Sequence, residues 1–176
     1  MQPRSASPHP AGRMDFQITP NAEVYFRDLH QAVDSVAREK KYLALLRAPP
    51  YEEAVAFYRD IISKQQIQLL GLLDGQLVGW CDILPAHGDV CAHIGVLGIG
   101  LLPQARRQGL GQQLMQAAIA QAWENGLTRI ELIVRTDNHG AKHLYEKLGF
   151  QVEGIQRKAN CVDGKYFDTY AMALLR

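Results

Sequence analysis

The chain has 176 residues, 47% of them hydrophobic and 21% charged, with a formal net charge of +1. That is enough chain for one domain with a substantial core, and the near-neutral balance gives no case for a nucleic-acid or anionic-membrane partner. Cys81, Cys91 and Cys161, an odd number without Cys-x-x-Cys spacing, argue against a disulfide framework or a metal site and read as reduced, strand-buried residues of a cytoplasmic protein.

No apolar run reaches the length of a membrane span, and the first residues lack a hydrophobic signal core. Residues 1–13 hold three prolines and almost nothing apolar, which predicts a flexible lead ahead of a single domain over 14–176. A short strand is expected over Phe16 to Ile18, then a helix from Ala22 to Ala37. A second helix follows Pro49-Pro50, where Glu52 and Glu53 favour a helix start. Its expected core stripe is Ala54, Phe57, Tyr58, Ile61 and Ile62. The charged run from Arg38 to Tyr42 between the two helices reads as solvated surface.

Gln66 to Leu73 and Gln76 to Ile83 are strands around Asp74-Gly75, a strong hairpin signal. A long strand is expected from Cys91 to Leu101. Gly95, Gly98 and Gly100 inside it suggest a bulge or a close backbone approach. A helix from Gly109 to Glu124 ends at Asn125-Gly126, and Arg129 to Arg135 alternates as the next strand, with Ile130, Leu132 and Val134 on one face. A helix starting at Asn138 is stopped by Gly149, with Ala141, Leu144 and Leu148 as its buried stripe. Gln151 to Ala159 and Tyr166 to Leu174 then close a hairpin around Asp163-Gly164. This order predicts an α/β (α+β) domain: a mixed sheet of about seven strands flanked by about four helices.

Two stretches carry the chemistry. Leu97 to Trp123 runs from an apolar strand through Arg106-Arg107-Gln108-Gly109-Leu110-Gly111 into a helix. Glycines let backbone approach a ligand, and successive N–H groups at a helix start attract anions. The spacing is that of neither a P-loop nor a dinucleotide fingerprint. Asn138 to Phe150 reads Asn-x-x-Ala-x-x-Leu-Tyr-Glu-Lys-x-Gly-Phe. Seven residues at roughly 100° each come close to two helical turns, so Asn138 and Tyr145 can address one ligand.

The first stretch, Arg-x-x-Gly-x-Gly after Leu-Leu-Pro, resembles the pyrophosphate loop of the GNAT superfamily of acetyl-CoA-dependent N-acetyltransferases. The second resembles the other half of that family's cofactor site. The resemblance implies that the backbone of Ile99, Gly100 and Leu101 pairs with the pantetheine of acetyl-CoA where two strands splay apart. It implies that the N–H groups of Arg107, Gln108, Gly109, Leu110, Gly111 and Gln112 hold the pyrophosphate, with Arg106 beside them. Asn138 would bond the cofactor arm, and the run from Arg38 to Tyr42 would border the acceptor pocket.

Attack of an amine on the thioester needs a neutral amine, an oxyanion donor and a proton for the departing thiolate. A strand N–H near Leu101 suits the oxyanion, and Tyr145 is placed as general acid. Relatives that acetylate protein N-termini often carry a carboxylate where this chain has Ile133. Glu131, two residues earlier on the same strand face, is a base candidate acting through water, or else a structural carboxylate; His93 is a lesser candidate. Glu39, Glu131, Glu153 and Asp168 are candidates to meet a cationic amine. The closing hairpin, Glu153 to Tyr170, resembles that of relatives acting on free amino acids and polyamines.

The expected partners are acetyl-CoA and a small amine, with no metal, no nucleic acid and no membrane, and with room for a homodimer. Acetylation of a protein N-terminus or lysine is the alternative acceptor. A non-catalytic acyl-CoA sensor is the alternative class, disfavoured because a sensor has no use for Tyr145.

Overall fold

The computed structural model describes residues 15–176, so the lead expected over 1–13 lies outside the described residues. Eleven principal elements follow in the order β1 (Phe16–Pro20), α1 (Phe26–Arg38), α2 (Tyr51–Ser63), β2 (Ile67–Leu73), β3 (Gln76–Pro85), β4 (Ile94–Leu101), α3 (Leu110–Glu124), β5 (Arg129–Arg135), α4 (His139–Lys147), β6 (Gln151–Val162) and β7 (Lys165–Leu175). The seven strands form one sheet in the order β1-β2-β3-β4-β5-β7-β6. Every neighbouring pair is antiparallel except β4 and β5.

Helices pack on both faces of the sheet. On one side α3 packs Leu114, Met115 and Ala118 against Cys81, Leu97 and Ile130, and the partly buried side of α4 joins them. On the other, α1 and α2 set Phe26, Leu29, Val36 and Tyr58 against Leu70 and Trp80. The alternation expected for β5 holds: Ile130, Leu132 and Val134 are buried in the α3 side of the core. The turns at Asp74-Gly75 and Asp163-Gly164 have φ between 50° and 79°, the left-handed backbone of a two-residue hairpin.

Tertiary context changed several local expectations. The first helical region opens with a 3-10 turn (Glu23–Tyr25), and α1 begins only at Phe26. On α2, Ala54, Tyr58 and Ile61 are buried, but Phe57 and Ile62 are 49% and 40% exposed; only the narrower stripe faces the sheet. The long strand begins at Ile94, so His93 precedes it and Cys91 ends a 3-10 turn (Asp89–Cys91). Of the cysteines, Cys81 alone is strand-buried; Cys161 is exposed on β6. On α4 the expected stripe of Ala141, Leu144 and Leu148 is only partly buried, and Tyr145 is the residue that reaches the core.

The glycines of β4 answer the second half of their expectation and not the first. Pairing with β3 runs without a bulge from Gly95 to Leu101. A Cβ on Gly100 would stand 2.2 Å from the Trp80 ring, so the absent side chain makes room for the indole.

Candidate active site

Pairing between β4 and β5 stops after three residues, Ile94–Val96 against Arg129–Glu131. From there β4 stays with β3 and β5 with β7, and the two strands part. Their free edges leave unpaired backbone groups facing a gap, an arrangement that accepts an extended ligand as an added strand.

A cavity of about 500 Å³ opens at this gap. It is lined by Ile99, Gly100 and Leu101 of β4, by Arg106, Arg107, Gly109, Gly111 and Gln112 of the following turn and α3, and by Asn138 and Tyr145. Two residues expected here are absent from the lining. Gln108 turns its amide to the Gln104 carbonyl at 2.6 Å. Leu110 is buried with Val78 and Ala105. Lys41 and Tyr42 line it too, from the run expected to border the acceptor pocket, while Val36, Asp137, His139 and Gly140 are lining residues that sequence reasoning did not single out.

The turn before α3 is built for an anion. Arg107 and Gly109 take left-handed φ of 59° and 77°, and Gly109 caps the helix. Such alternation makes a concave row of N–H groups, and the first N–H groups of a helix have no intrahelical acceptor. The first α3 bond is Gln113 N–H to the Gly109 carbonyl, which leaves Leu110, Gly111 and Gln112 free to face a ligand. These features fit the diphosphate of acetyl-CoA, and the apolar gap beside Ile99 and Leu101 fits its thin arm.

Arg106 is more committed than its motif position suggested. Its Nε donates to the Leu101 carbonyl at 2.9 Å, and its two terminal nitrogens clamp Glu39 at 2.8 and 2.5 Å. Its guanidinium also lies 4.5 Å from the Tyr42 ring centre. The segment after α1 is thereby fastened to the anion-binding turn. The same segment is held from the other side: Arg135 donates to the Lys40 carbonyl at 2.9 Å, and Lys40 pairs with Asp163 on the hairpin at 2.8 Å.

Asn138 is the N-cap of α4, its oxygen accepting from the Ala141 N–H at 3.3 Å, and two turns later Tyr145 faces the same cavity. The helix stops in a Schellman arrangement: Gly149 N–H bonds the Glu146 carbonyl and Phe150 N–H the Tyr145 carbonyl. That turn sets Phe150 against Tyr145, with ring centres 6.1 Å apart, and fixes the phenol. Burial, and after it the nearby Cys81, pushes the Tyr145 phenol above its ordinary range, so it keeps its proton at neutral pH.

The expected acidic residues are mostly spoken for. Glu131 does not line the cavity. It sits where β4 and β5 are still paired, and Arg129 holds it at 3.1 Å while also clamping Glu153 at 2.9 and 2.5 Å. That ion-pair network engages both Glu131 and Glu153. Asp168 takes the Lys158 N–H at 2.8 Å. Asp137 does line the cavity, but it is clamped by Arg135 at 2.9 and 2.5 Å, which lowers its pKa. His93 lies exposed before β4 and outside the cavity lining. Among the described residues no group of three or more His, Cys, Asp or Glu is placed to hold a metal ion.

Comparison with known proteins agrees with this geometry. Residues 37–150 match the model of the acetyltransferase (GNAT) family. An L-amino acid N-acetyltransferase of Escherichia coli is 33% identical over 111 residues, 62% of this chain and 68% of that protein. A Bacillus subtilis protein provisionally named as a ribosomal protein bS18 alanine N-acetyltransferase is 32% identical over 103 residues, 58% of this chain and 66% of its own length. A GNAT-family acetyltransferase structure from Streptococcus pneumoniae superposes with a TM-score of 0.85 at 30% identity, over 92% of this chain and all of the other.

Proposed function

The chain belongs to the GNAT family of acetyltransferases, and from that premise we propose that it moves an acetyl group from acetyl-CoA to the amine of a small molecule, an amino acid or a close analogue. The observation that carries the reading is the gap between β4 and β5. It joins an anion-binding turn at one end to a buried, protonated Tyr145 at the other.

Acetyl-CoA supplies the activated thioester. The chain's own groups do the rest: N–H groups from Arg107 to Gln112 hold the diphosphate, and the β4 edge at Ile99, Gly100 and Leu101 aligns the arm. A β4 N–H near Leu101 faces the carbonyl oxygen as negative charge develops on it. Asn138 steadies the arm near the thioester, and the Tyr145 hydroxyl gives its proton to the departing sulfur.

Small acceptors are favoured by the clasp of Lys40 and Asp163, which joins the segment after α1 to the hairpin on the acceptor side. The relative active on L-amino acids supports the same class. The B. subtilis relative's name favours a second reading, acetylation of a protein N-terminal alanine. Ile133, 61% exposed where such enzymes often carry a carboxylate, weighs against it. The test runs purified protein with acetyl-CoA against free L-amino acids, polyamines and unstructured peptides in parallel, reading released thiol. Turnover on peptides with every small amine silent would replace the first reading by the second. We place the enzyme in the cytoplasm, where its three free cysteines stay reduced, and a thiol titration of protein isolated from cells tests that assignment.

A further inference from the structure

The acetyl-transfer reading leaves the acceptor's proton without a destination, because Glu131, Glu153, Glu39 and Asp137 are each paired with an arginine. Among the described residues the carboxylate of Asp82, beside the cavity wall and outside its lining, has no cationic partner. Asp82 lies in the middle of β3, opposite Gly98 of β4. Its Oδ1 is 2.8 Å from where a Gly98 Cβ would stand, so the missing side chain opens the sheet directly above the carboxylate. Asp82 shares a sheet face with Trp80, two residues away, whose ring covers Gly100 of the cavity wall. Gly98 and Gly100 lie about 7 Å apart along β4, which sets the carboxylate one strand step from the cavity wall.

The surroundings suit a base. Gln68 donates to Asp82 Oδ2 at 3.4 Å, and Asn21 in turn donates to Gln68 at 2.6 Å, which orients the carboxylate through neutral groups only. An ionised carboxylate only accepts, which sets the direction of this amide chain and leaves Asn21 Oδ1 buried without a partner among the described residues. The groups facing Asp82 are Gln68 from β2, the Gly98 backbone from β4 and Tyr58 from α2, while the Cys81 thiol points to the opposite side of the sheet. Beyond β4 the same face has no helix over it: Val96 and Ile133 are 41% and 61% exposed, an apolar approach for an amine.

We propose that Asp82 is the general base of this acetyltransferase, taking the proton from the acceptor ammonium directly or through one water; this rests on the acetyl-transfer reading. The acceptor R–NH3+ gives one proton to the Asp82 carboxylate, which passes it to solvent. The nitrogen lone pair then forms the C–N bond as the C–S bond breaks. The second nitrogen proton leaves to solvent, matched by the proton that Tyr145 delivers to sulfur and regains. Burial holds the Asp82 carboxyl at about 6, close enough to neutrality to accept a proton and release it again.

The experiment compares wild type with Asp82→Asn across pH 5 to 10, using the twenty L-amino acids as acceptors. Calorimetry with acetyl-CoA serves as the folding control. The expected result is unchanged acetyl-CoA affinity and a loss of about 10²- to 10³-fold in kcat/KM at pH 7. The wild-type acid limb near pH 6 should vanish in the variant, its rate climbing instead toward the amine's own pKa. A second readout needs no acceptor: carbon NMR of aspartate-labelled protein should show one carboxyl, absent in Asp82→Asn, titrating near pH 6. Active wild type with an equally active variant overturns the base assignment alone, as does a carboxyl titrating below pH 5. Silence of wild type on every amine overturns the reading beneath it.

Discussion

Arg106 and Glu39 face each other as a bidentate ion pair, 2.8 and 2.5 Å, that joins the anion-binding turn to the segment after α1. Both side chains are only a quarter to a third exposed, so solvent screens the pair incompletely. A carboxylate held this close to the diphosphate site opposes the anion it must admit. Glu39→Gln is therefore expected to tighten acetyl-CoA binding about threefold, less than 1 kcal/mol, while loosening the acceptor-side segment and raising the acceptor KM. Calorimetry and initial rates on the same preparation check both directions; weaker cofactor binding would show that Glu39 serves to position Arg106.

Tyr145→Phe removes one hydroxyl and keeps the ring packed against Phe150. Turnover should fall by about 10²- to 10⁴-fold with acetyl-CoA affinity intact. Because burial raises the phenol's pKa, the wild-type rate should show no loss from Tyr145 ionisation up to pH 10. A variant within twofold of wild type at every pH would leave solvent as the proton source.

Gly109 has φ of 77°, a region that non-glycine residues enter at a cost of roughly 1 kcal/mol. Nothing stands within 4 Å of a Cβ there, so steric crowding inside the protein adds nothing. Gly109→Asp adds a negative charge at the turn proposed to hold the diphosphate, and acetyl-CoA affinity should drop at least about tenfold. Gly109→Asn shares the backbone constraint without the charge and should lose much less. Equal losses in the two variants, measured by calorimetry, would assign the effect to the backbone.

Arg135 is a buried cross-brace, its side chain 8% exposed. Its guanidinium lies 3.5 Å from the Phe167 ring centre and bonds both Asp137 and the Lys40 carbonyl. Arg135→Met should cost about 2 kcal/mol in urea unfolding, since Asp137 is half exposed and can rehydrate. It should also raise the acceptor KM more than the acetyl-CoA KM. The Arg135–Asp137 contribution is lost in wild type as pH falls below about 4, because the paired carboxylate has a lowered pKa.

Asp82 has the opposite sign. Its folded-state pKa, about 6, lies above the ordinary 3.8, so between those values the unfolded chain has released a proton that the native protein still holds. Stability should fall as pH rises from about 4 to 6 and stay lower above that. Asp82→Asn should lack this slope and be at least as stable as wild type at pH 7. A variant destabilised at pH 7 but not at pH 4 in thermal unfolding would point to an ionised Asp82 that stabilises the fold.

Local sequence determined the elements and most of the cavity lining along β4, α3 and α4. Hairpins announced themselves at Asp74-Gly75 and Asp163-Gly164 because only a few residue pairs tolerate that backbone. The Arg106–Gly111 and Asn138–Phe150 stretches each consist of contiguous backbone and a single helix, so the way they line the cavity is encoded in spacing. The charge state of the acceptor side was not legible in this way. Whether Glu39, Glu131, Glu153 or Asp137 is free depends on Arg106, Arg129 and Arg135, and two of these pairs span 24 and 67 positions of chain. Asp82 could not be singled out from sequence, since its environment is made by Gln68, Gly98 and Tyr58 on three other elements. Burial and pairing are properties of the packed sheet, and only the tertiary structure decided which carboxylates it neutralises and which it leaves to accept a proton.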